Sequence, residues 1–211
     1  MPGRFVPLRL LGIERSVPRW PTLNLQADGL LVRPPEQADF IAWSSLRAIS
    51  RDFLEQWEPR WPEDDLTHAS FRYRIRRYHK EIERDEAYPF FIFREADNTL
   101  LGGLTLSNVR RGAAQTATLG YWMGAPYAGK GIMLTAVRLV TRHAFERMRL
   151  MRIEAACMPE NQPSMGLLEK AGFEKEGFAR SYLNINGQRR DHVLYALFPN
   201  ARTGQKTGNP Q

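Results

Sequence analysis

Along this chain the spacing of apolar residues switches repeatedly between the period of a strand and that of a helix, and the switches mark out the elements. Leu30, Leu31 and Val32 lie in an apolar run over 29–33, a predicted strand that Pro34 and Pro35 stop. Phe40, Ile41, Trp43, Leu46 and Ile49 recur at helical spacings and predict a helix over 36–50. Trp57 and Trp61 follow in a Pro-rich turn. A second helix is predicted over 66–86, where Phe71, Ile75, Tyr78 and Ile82 form one apolar stripe. Its other positions are charged: Arg72, Arg74, Arg76, Arg77, Lys80 and Arg84 against Glu81, Glu83, Asp85 and Glu86. That composition reads as a solvated face, with a surface for an acidic substrate as the alternative.

Three strand patterns come next, YPFFIFRE at 88–95, TLLGGLTLSNV at 99–109 and TATLGYWMG at 116–124. The turn residues Asp97-Asn98 and Arg111-Gly112 separate them, which predicts an antiparallel meander. A helix over 129–148, a strand RIEAACM at 152–158 and a helix over 161–171 follow. Two last strands, 176–185 and 189–197, meet at Asn186-Gly187, a strong short-range hairpin signal. The predicted class is α/β (α+β), a mixed and mostly antiparallel sheet of about seven strands flanked by about four helices.

The length of 211 residues fits one domain with appendages, and the pattern assigns it to 30–198. Residues 1–29 read as an extension and 199–211 as a disordered tail, the latter for its Gly, Pro and polar residues. Apolar residues make up 43%, enough for a sizeable core, while runs such as PFFIF at 89–93 fall far short of the ~18 residues of a membrane span. No membrane partner is expected. Arg4, Arg9, Glu14, Arg15 and Arg19 break up the N-terminal apolar stretch, so no secretory signal is read there. Thirty Lys and Arg against twenty-three Asp and Glu leave a net charge of +7, which permits an acidic partner and fixes none. The lone Cys157 excludes an intrachain disulfide framework and suits a reducing cytoplasm. With four scattered histidines and no paired acidic motif, no metal site is expected.

Candidate chemistry starts at GYWMGAPYAGKGIMLTAVRLV, residues 120–140. Gly129 and Gly131 leave backbone uncovered at the first turn of a helix, where free N–H groups and the positive helix end can face one anion. The plain alternative is a tight strand-to-helix turn. Lys130 can add charge or point to solvent. The G-x-x-x-x-G-K-[ST] pattern of a Walker A loop is absent, and the antiparallel strands before it disfavour a Rossmann site. In MPENQPSMGLLEKAGFEKEGF, residues 158–178, Asn161 stands at a helix start, Ser164 in its first turn and Gly172 just past its end. Alone these are ordinary caps. If the two strand-helix units are neighbours, both helix starts open on one sheet edge.

Taken together, these segments resemble the GNAT superfamily of N-acetyltransferases, whose acetyl-CoA signature is a Gly-x-Gly loop after the fourth strand and an Asn on the helix after the fifth. LSNVRRG at 106–112, LGYWMG at 119–124, GKGIM at 129–133, MPEN at 158–161, LLEKAGFEKEGFARSYL at 167–183, INGQRRDHVLYAL at 185–197 and FLEQWEP at 53–59 resemble most closely the RimJ-type ribosomal-protein-alanine N-acetyltransferases. The resemblance spans roughly 30–198. It implies the GNAT fold, acetyl-CoA as cosubstrate, and direct attack of an amine on the thioester. It puts the pyrophosphate on the backbone of Gly129, Lys130, Gly131 and Ile132. It runs the pantetheine arm between the strands at 116–123 and 152–158, beside the backbone of Trp122 and Met123, with Asn161 holding the arm from the other side.

The catalytic groups depart from common family patterns. The tyrosine that many members carry seven residues after the helix-start Asn is here Leu168, and an acidic position on the fourth strand is here Thr118. Ser164 is the candidate acid for the leaving thiolate, or a helix cap. Glu154, alone among apolar neighbours in IEAAC, is the leading base candidate; the alternative is a strand charge paired with arginine. Asp191 and His192 follow, and His68, His79 and His143 receive no role.

The expected function is acetyl transfer to a protein N-terminus, such as a ribosomal protein's N-terminal alanine. The alternatives are a small-molecule amine acetyltransferase of the same fold and a non-catalytic acyl-CoA-sensing or ribosome-binding module. Arg110, Arg111, Arg189 and Arg190, at turns beside the expected acceptor groove, are candidates to steer an acidic peptide or to contact ribosomal RNA.

Overall fold

Turn chemistry and strand alternation assemble the predicted segments into one sheet. The structure, a computed structural model, describes residues 23–199; residues 1–22 of the expected extension and the tail at 200–211 lie outside the described residues. The strands are β1 (Leu25–Ala27), β2 (Leu30–Arg33), β3 (Tyr88–Arg94), β4 (Thr99–Arg110), β5 (Thr116–Met123), β6 (Arg152–Cys157), β7 (Glu174–Ile185) and β8 (Gln188–Leu197). They lie in the order β1-β2-β3-β4-β5-β6-β8-β7. Every pairing is antiparallel except β5 with β6.

The strand β1 was not expected. It pairs with β2 across Asp28 and Gly29, both at positive φ, so a two-residue Asp-Gly turn closes a hairpin. The helix expected over 36–50 starts as a 3-10 turn at Gln37–Asp39 and continues as α1 (Phe40–Ile49), and a further short helix, α2 (Arg51–Glu55), follows where none was expected. Ser50, with φ −104° and ψ 8°, breaks the last two apart. The expected apolar face is also narrower, since Trp43 and Leu46 are buried while Ile41 and Ile49 are exposed. The remaining helices are α3 (His68–Glu83), α4 (Ile132–Glu146) and α5 (Gln162–Lys170). Thr67 caps α3 by accepting a hydrogen bond from the Ser70 N–H. No helix among the described residues is long and apolar enough to cross a membrane.

The sheet is covered on both faces, which explains why β3 reads as a continuous apolar run. Tyr88, Phe90 and Ile92 pack in one core with Ala136, Val137 and Val140 of α4 and Leu168 of α5. Phe91 and Phe93 pack in a second core with Trp43 and Leu46 of α1 and Phe71 and Ile75 of α3. Trp43 and Phe71 stand 4.8 Å apart between ring centres, a contact worth about 0.5–1.5 kcal/mol beyond area burial.

Three close approaches fix β5 relative to its neighbours. Trp122 lies across Gly103, where an added Cβ would come 2.7 Å from the indole nitrogen and 2.9 Å from the Phe90 carbonyl oxygen. At Gly102 an added Cβ would meet the Trp122 carbonyl oxygen at 2.5 Å. Leu46 of α1 rests on Gly124 just past β5. We therefore expect Gly103→Ala to lower the unfolding free energy by about 1–3 kcal/mol, the range for overpacking. Urea denaturation measures it; an unchanged midpoint and slope would show that Trp122 and β3 give way freely.

Candidate active site

The one parallel pairing sets the site. In β5 and β6 the ladder runs from Thr116↔Arg152 to Leu119↔Ala155 and then stops, although β5 continues to Met123 and β6 to Cys157. The strands splay from that point. The Gly124 N–H donates to the Leu101 carbonyl oxygen. By strand alternation, the N–H and C=O groups of Trp122 then also face β4, while those of Tyr121 and Met123 face the gap. The gap thus presents an unpaired strand edge.

Both strands lead into helices at the open end, so α4 and α5 start at the carboxyl ends of the two parallel strands. Before α4 the backbone turns at Gly129 and Gly131, with φ of 73° and 78°. Nothing lies within 4 Å of where a Cβ would stand at either glycine, so the loop backbone faces open space. Gly131 caps α4 without a side chain, and the first intrahelical bond runs from the Thr135 N–H to the Gly131 oxygen. The N–H groups of the first turn are left free to meet an anion. Lys130 folds back, its Nζ donating to the Pro126 carbonyl oxygen at 2.8 Å, so its backbone rather than its ammonium joins the loop. Ile132 packs its side chain against the core. Glycines without Cβ contacts and a free helix start fit a pyrophosphate, and the open edge of β5 fits an extended arm with amide groups.

At the start of α5, Asn161 Oδ1 accepts from the Ser164 N–H at 3.1 Å. The cap is therefore Asn161, and the Ser164 hydroxyl is not used for capping. It lies 2.8 Å from the Tyr121 hydroxyl across the gap. Burial pushes the Cys157 thiol up from its ordinary value, and a hydrogen bond with Ser164 pulls it back. Burial likewise holds the Tyr121 phenol well above its usual range. Tyr121, Cys157 and Ser164 thus meet where the strands part, and the sequence reading named only the serine among them for chemistry. The signal for Tyr121 was its place in the strand just before the Gly loop.

Leu168, at the position where many relatives of the family carry a tyrosine, is 1% exposed and part of the core. The opposite sheet face carries Trp122, which stands edge-on to Phe91 and beneath the Arg47 guanidinium. Arg47 is buried and forked onto Glu58 at 2.8 and 2.7 Å, and the Asn186 N–H of the β7–β8 turn donates to the Glu58 carbonyl oxygen. These links tie α1, the loop after α2 and the last hairpin together beside β5.

The two carboxylates expected to serve as base have other partners. Glu154 lies between Arg152 at 2.9 Å and Arg110 at 3.4 Å, and Arg152 continues to Glu176. Of its two readings, the arginine-paired strand charge is the one observed. On β6 its neighbours Ile153 and Ala155 are buried and it is not, so it faces away from the core that holds Tyr121. Asp191 accepts from the Ser181 N–H at 2.7 Å, where Ser181 adopts a positive φ in an irregular stretch of β7. It stabilises that bulge. His192 is 3% exposed, with Nδ1 3.1 Å from the Arg190 carbonyl oxygen and its ring against Tyr182.

The arginines read as steering groups are likewise engaged. Arg111 is held by Asp85 and the Met148 carbonyl oxygen, Arg110 by Glu154, Arg189 by the Tyr182 carbonyl oxygen and Arg190 by Glu160. A cleft lined by Asp64 and Asp65 also holds Arg74 and Arg77, and Arg74 pairs with Asp65 at 2.6 Å, so it offers no acidic pocket for a cationic small molecule. Among the described residues no group of His, Cys, Asp or Glu side chains is arranged to hold a metal ion.

Comparison with known proteins agrees with this geometry. A family model described as an acetyltransferase (GNAT) domain matches residues 29–174. The chain is 44% identical over 173 residues to the Bacillus subtilis (strain 168) protein named Probable N-acetyltransferase YjcK, covering 82% of this chain and 96% of that one. It is 35% identical over 188 residues to the [ribosomal protein uS5]-alanine N-acetyltransferase of Escherichia coli (strain K12), covering 89% and 95%. Among solved structures, the ribosomal-protein-S5-alanine acetyltransferase of Vibrio fischeri superposes with a TM-score of 0.79 at 28% identity, over 84% of this chain and 97% of that one. Mycobacterium smegmatis RimJ, solved in complex with CoA-disulfide, superposes with a TM-score of 0.76 at 34% identity, over 80% and 81%. The splayed parallel pair, the glycine loop and the matched family together make this chain an N-acetyltransferase of the GNAT family.

Proposed function

We propose that the protein transfers the acetyl group of acetyl-CoA to the α-amine of a protein N-terminus, with the N-terminal alanine of a ribosomal protein as acceptor, in the cytoplasm. The observation that carries the reading is the open edge of β5, where Tyr121 and Met123 turn backbone groups toward a gap that ends at two helix starts. An extended arm with amides, ending in a pyrophosphate, matches that edge in polarity. The acceptor is supported by the 35% identity that runs over 95% of the uS5-alanine enzyme.

The residues divide the work by position. Backbone N–H groups at Gly129, Lys130, Gly131 and Ile132 bind the pyrophosphate, and the Met123 N–H polarises the acetyl carbonyl, where charge develops during attack. Trp122 borders the acceptor side, and Asn161 supports the arm by fixing the first turn of α5. The amine attacks the carbonyl carbon, the C–S bond breaks, and the sulfur takes its electron pair with a hydrogen bond from the Ser164 hydroxyl. Because Glu154 and Asp191 are committed to Arg152, Arg110 and the Ser181 N–H, the amine must shed its proton without a strong dedicated base. An α-amine, with a reference pKa of ~7.7–8.0 against ~10.4 for lysine, meets that condition far more readily.

Three outcomes follow from this assignment. Gly131→Asp puts a carboxylate where the pyrophosphate must approach and should weaken acetyl-CoA binding at least about tenfold, ~1.4 kcal/mol, by calorimetry; undiminished affinity in a folded variant would remove the loop from the site. Ser164→Ala should lower kcat about 10²-fold, within the range for general acid catalysis, with much less change in acetyl-CoA binding. A kcat equal to wild type would leave Ser164 without a part in the reaction. Assayed by CoA release, peptides beginning with Ala should be acetylated at rates that climb as pH approaches the amine pKa of ~8. Equal or faster transfer to internal lysines of N-terminally blocked peptides would contradict an N-terminal acceptor.

A further inference from the structure

A serine hydroxyl has one proton and two lone pairs, and it turns freely about its Cα–Cβ bond. To serve a departing sulfur, the proton of Ser164 has to be aimed. The helix start does not aim it, because Asn161 Oδ1 already takes the Ser164 N–H at 3.1 Å. The contact that remains is with Tyr121, whose hydroxyl reaches from β5 to within 2.8 Å of Ser164 Oγ. The same phenol stands 3.4 Å from the Ser164 carbonyl oxygen, longer than the usual O–H···O range of ~2.5–3.0 Å, so Oγ is the better acceptor for its proton. A phenol that donates to Oγ occupies one lone pair and leaves the serine's own proton to point elsewhere.

Resting on the acetyl-transfer reading with Ser164 at the thioester sulfur, we propose that Tyr121 is a positioning residue that donates to Ser164 Oγ and so directs the serine proton at that sulfur. It supplies from the strand the phenol that α5 lacks, where Leu168 is packed in the core. Tyr121 does not act as the acid itself: burial holds its phenol well above the ordinary range, so it keeps its proton throughout. When the C–S bond of the tetrahedral adduct breaks, the electron pair passes to sulfur and Ser164 Oγ–H donates a hydrogen bond to it. The proton that ends on sulfur is the one surrendered by the amine, carried through Oγ or water, and both hydroxyls finish neutral.

The test is a double-mutant cycle of Tyr121→Phe and Ser164→Ala, with kcat and KM for acetyl-CoA measured on a peptide beginning with Ala. Tyr121→Phe keeps the ring and its packing, and we expect kcat to fall about tenfold with KM for acetyl-CoA unchanged, and no further fall in the Ser164→Ala background, as for residues that act as one unit. A wild-type kcat, losses that multiply, or a loss confined to KM would overturn the proposal. CoA release with water as acceptor breaks the same C–S bond and separates this idea from the choice of acceptor. If the wild type acetylates no peptide yet hydrolyses acetyl-CoA, the acceptor reading fails, while the same non-additive loss in hydrolysis upholds Tyr121 and its absence rejects it.

Discussion

The structure depends on an interruption. Parallel strands β5 and β6 pair for four residues each and then separate, which leaves the backbone groups of Tyr121 and Met123 without a strand partner. A buried donor or acceptor left unpaired costs about 1–3 kcal/mol, so such an edge persists only where the surrounding packing holds it and where water or a ligand meets it. The surroundings do hold it. Trp122 is seated on Gly102 and Gly103 of β4, Leu46 abuts Gly124, and the Tyr121 hydroxyl meets Ser164 on the far side. The wedge between the strands is therefore built into the packing before any ligand arrives.

From that wedge follows the proposed division between binding and chemistry. Binding falls to backbone, at the glycine loop and along β5, where there are few side chains to substitute. Tyr121, Ser164 and Cys157 form a small polar group on the core-side face, surrounded by apolar packing, and Ser164 there is the group proposed to meet the departing sulfur. The other face, proposed for the acceptor, is bordered by Trp122 and by the Arg47–Glu58 pair that ties α1 to the last hairpin. Of the surface arginines, Arg111 fastens the β4–β5 turn to Asp85 and to the Met148 carbonyl oxygen just past α4.

Much of this was legible in the sequence because the decisive signals are local. Asn186-Gly187 marks a hairpin at any burial, the continuous apolar run of β3 marks a strand covered on both faces, and Gly129 and Gly131 mark a turn into a helix. The β1 strand escaped because three residues are too few for a period, though its Asp28-Gly29 turn was written plainly. The end of α1 near 50 was legible, whereas α2 escaped because five residues are too few for a helical period. In the site, what local pattern could not supply was pairing at a distance. Glu154 among apolar residues looks like a candidate base until Arg110, 44 positions away, is seen beside it. The same holds for Tyr121 and Ser164, 43 positions apart, whose contact exists only because β5 and α5 share one gap.

The central claim is that the unpaired edge of β5 and the first turn of α4 form one cradle for acetyl-CoA. Residue-resolved amide hydrogen exchange, with and without acetyl-CoA, tests it most directly. The account predicts that exchange slows at Tyr121 and Met123 and at Gly129, Lys130, Gly131 and Ile132, while the amides of the β1–β2 hairpin keep their rates. Slowing elsewhere, with those six amides unchanged at saturating acetyl-CoA, would contradict it.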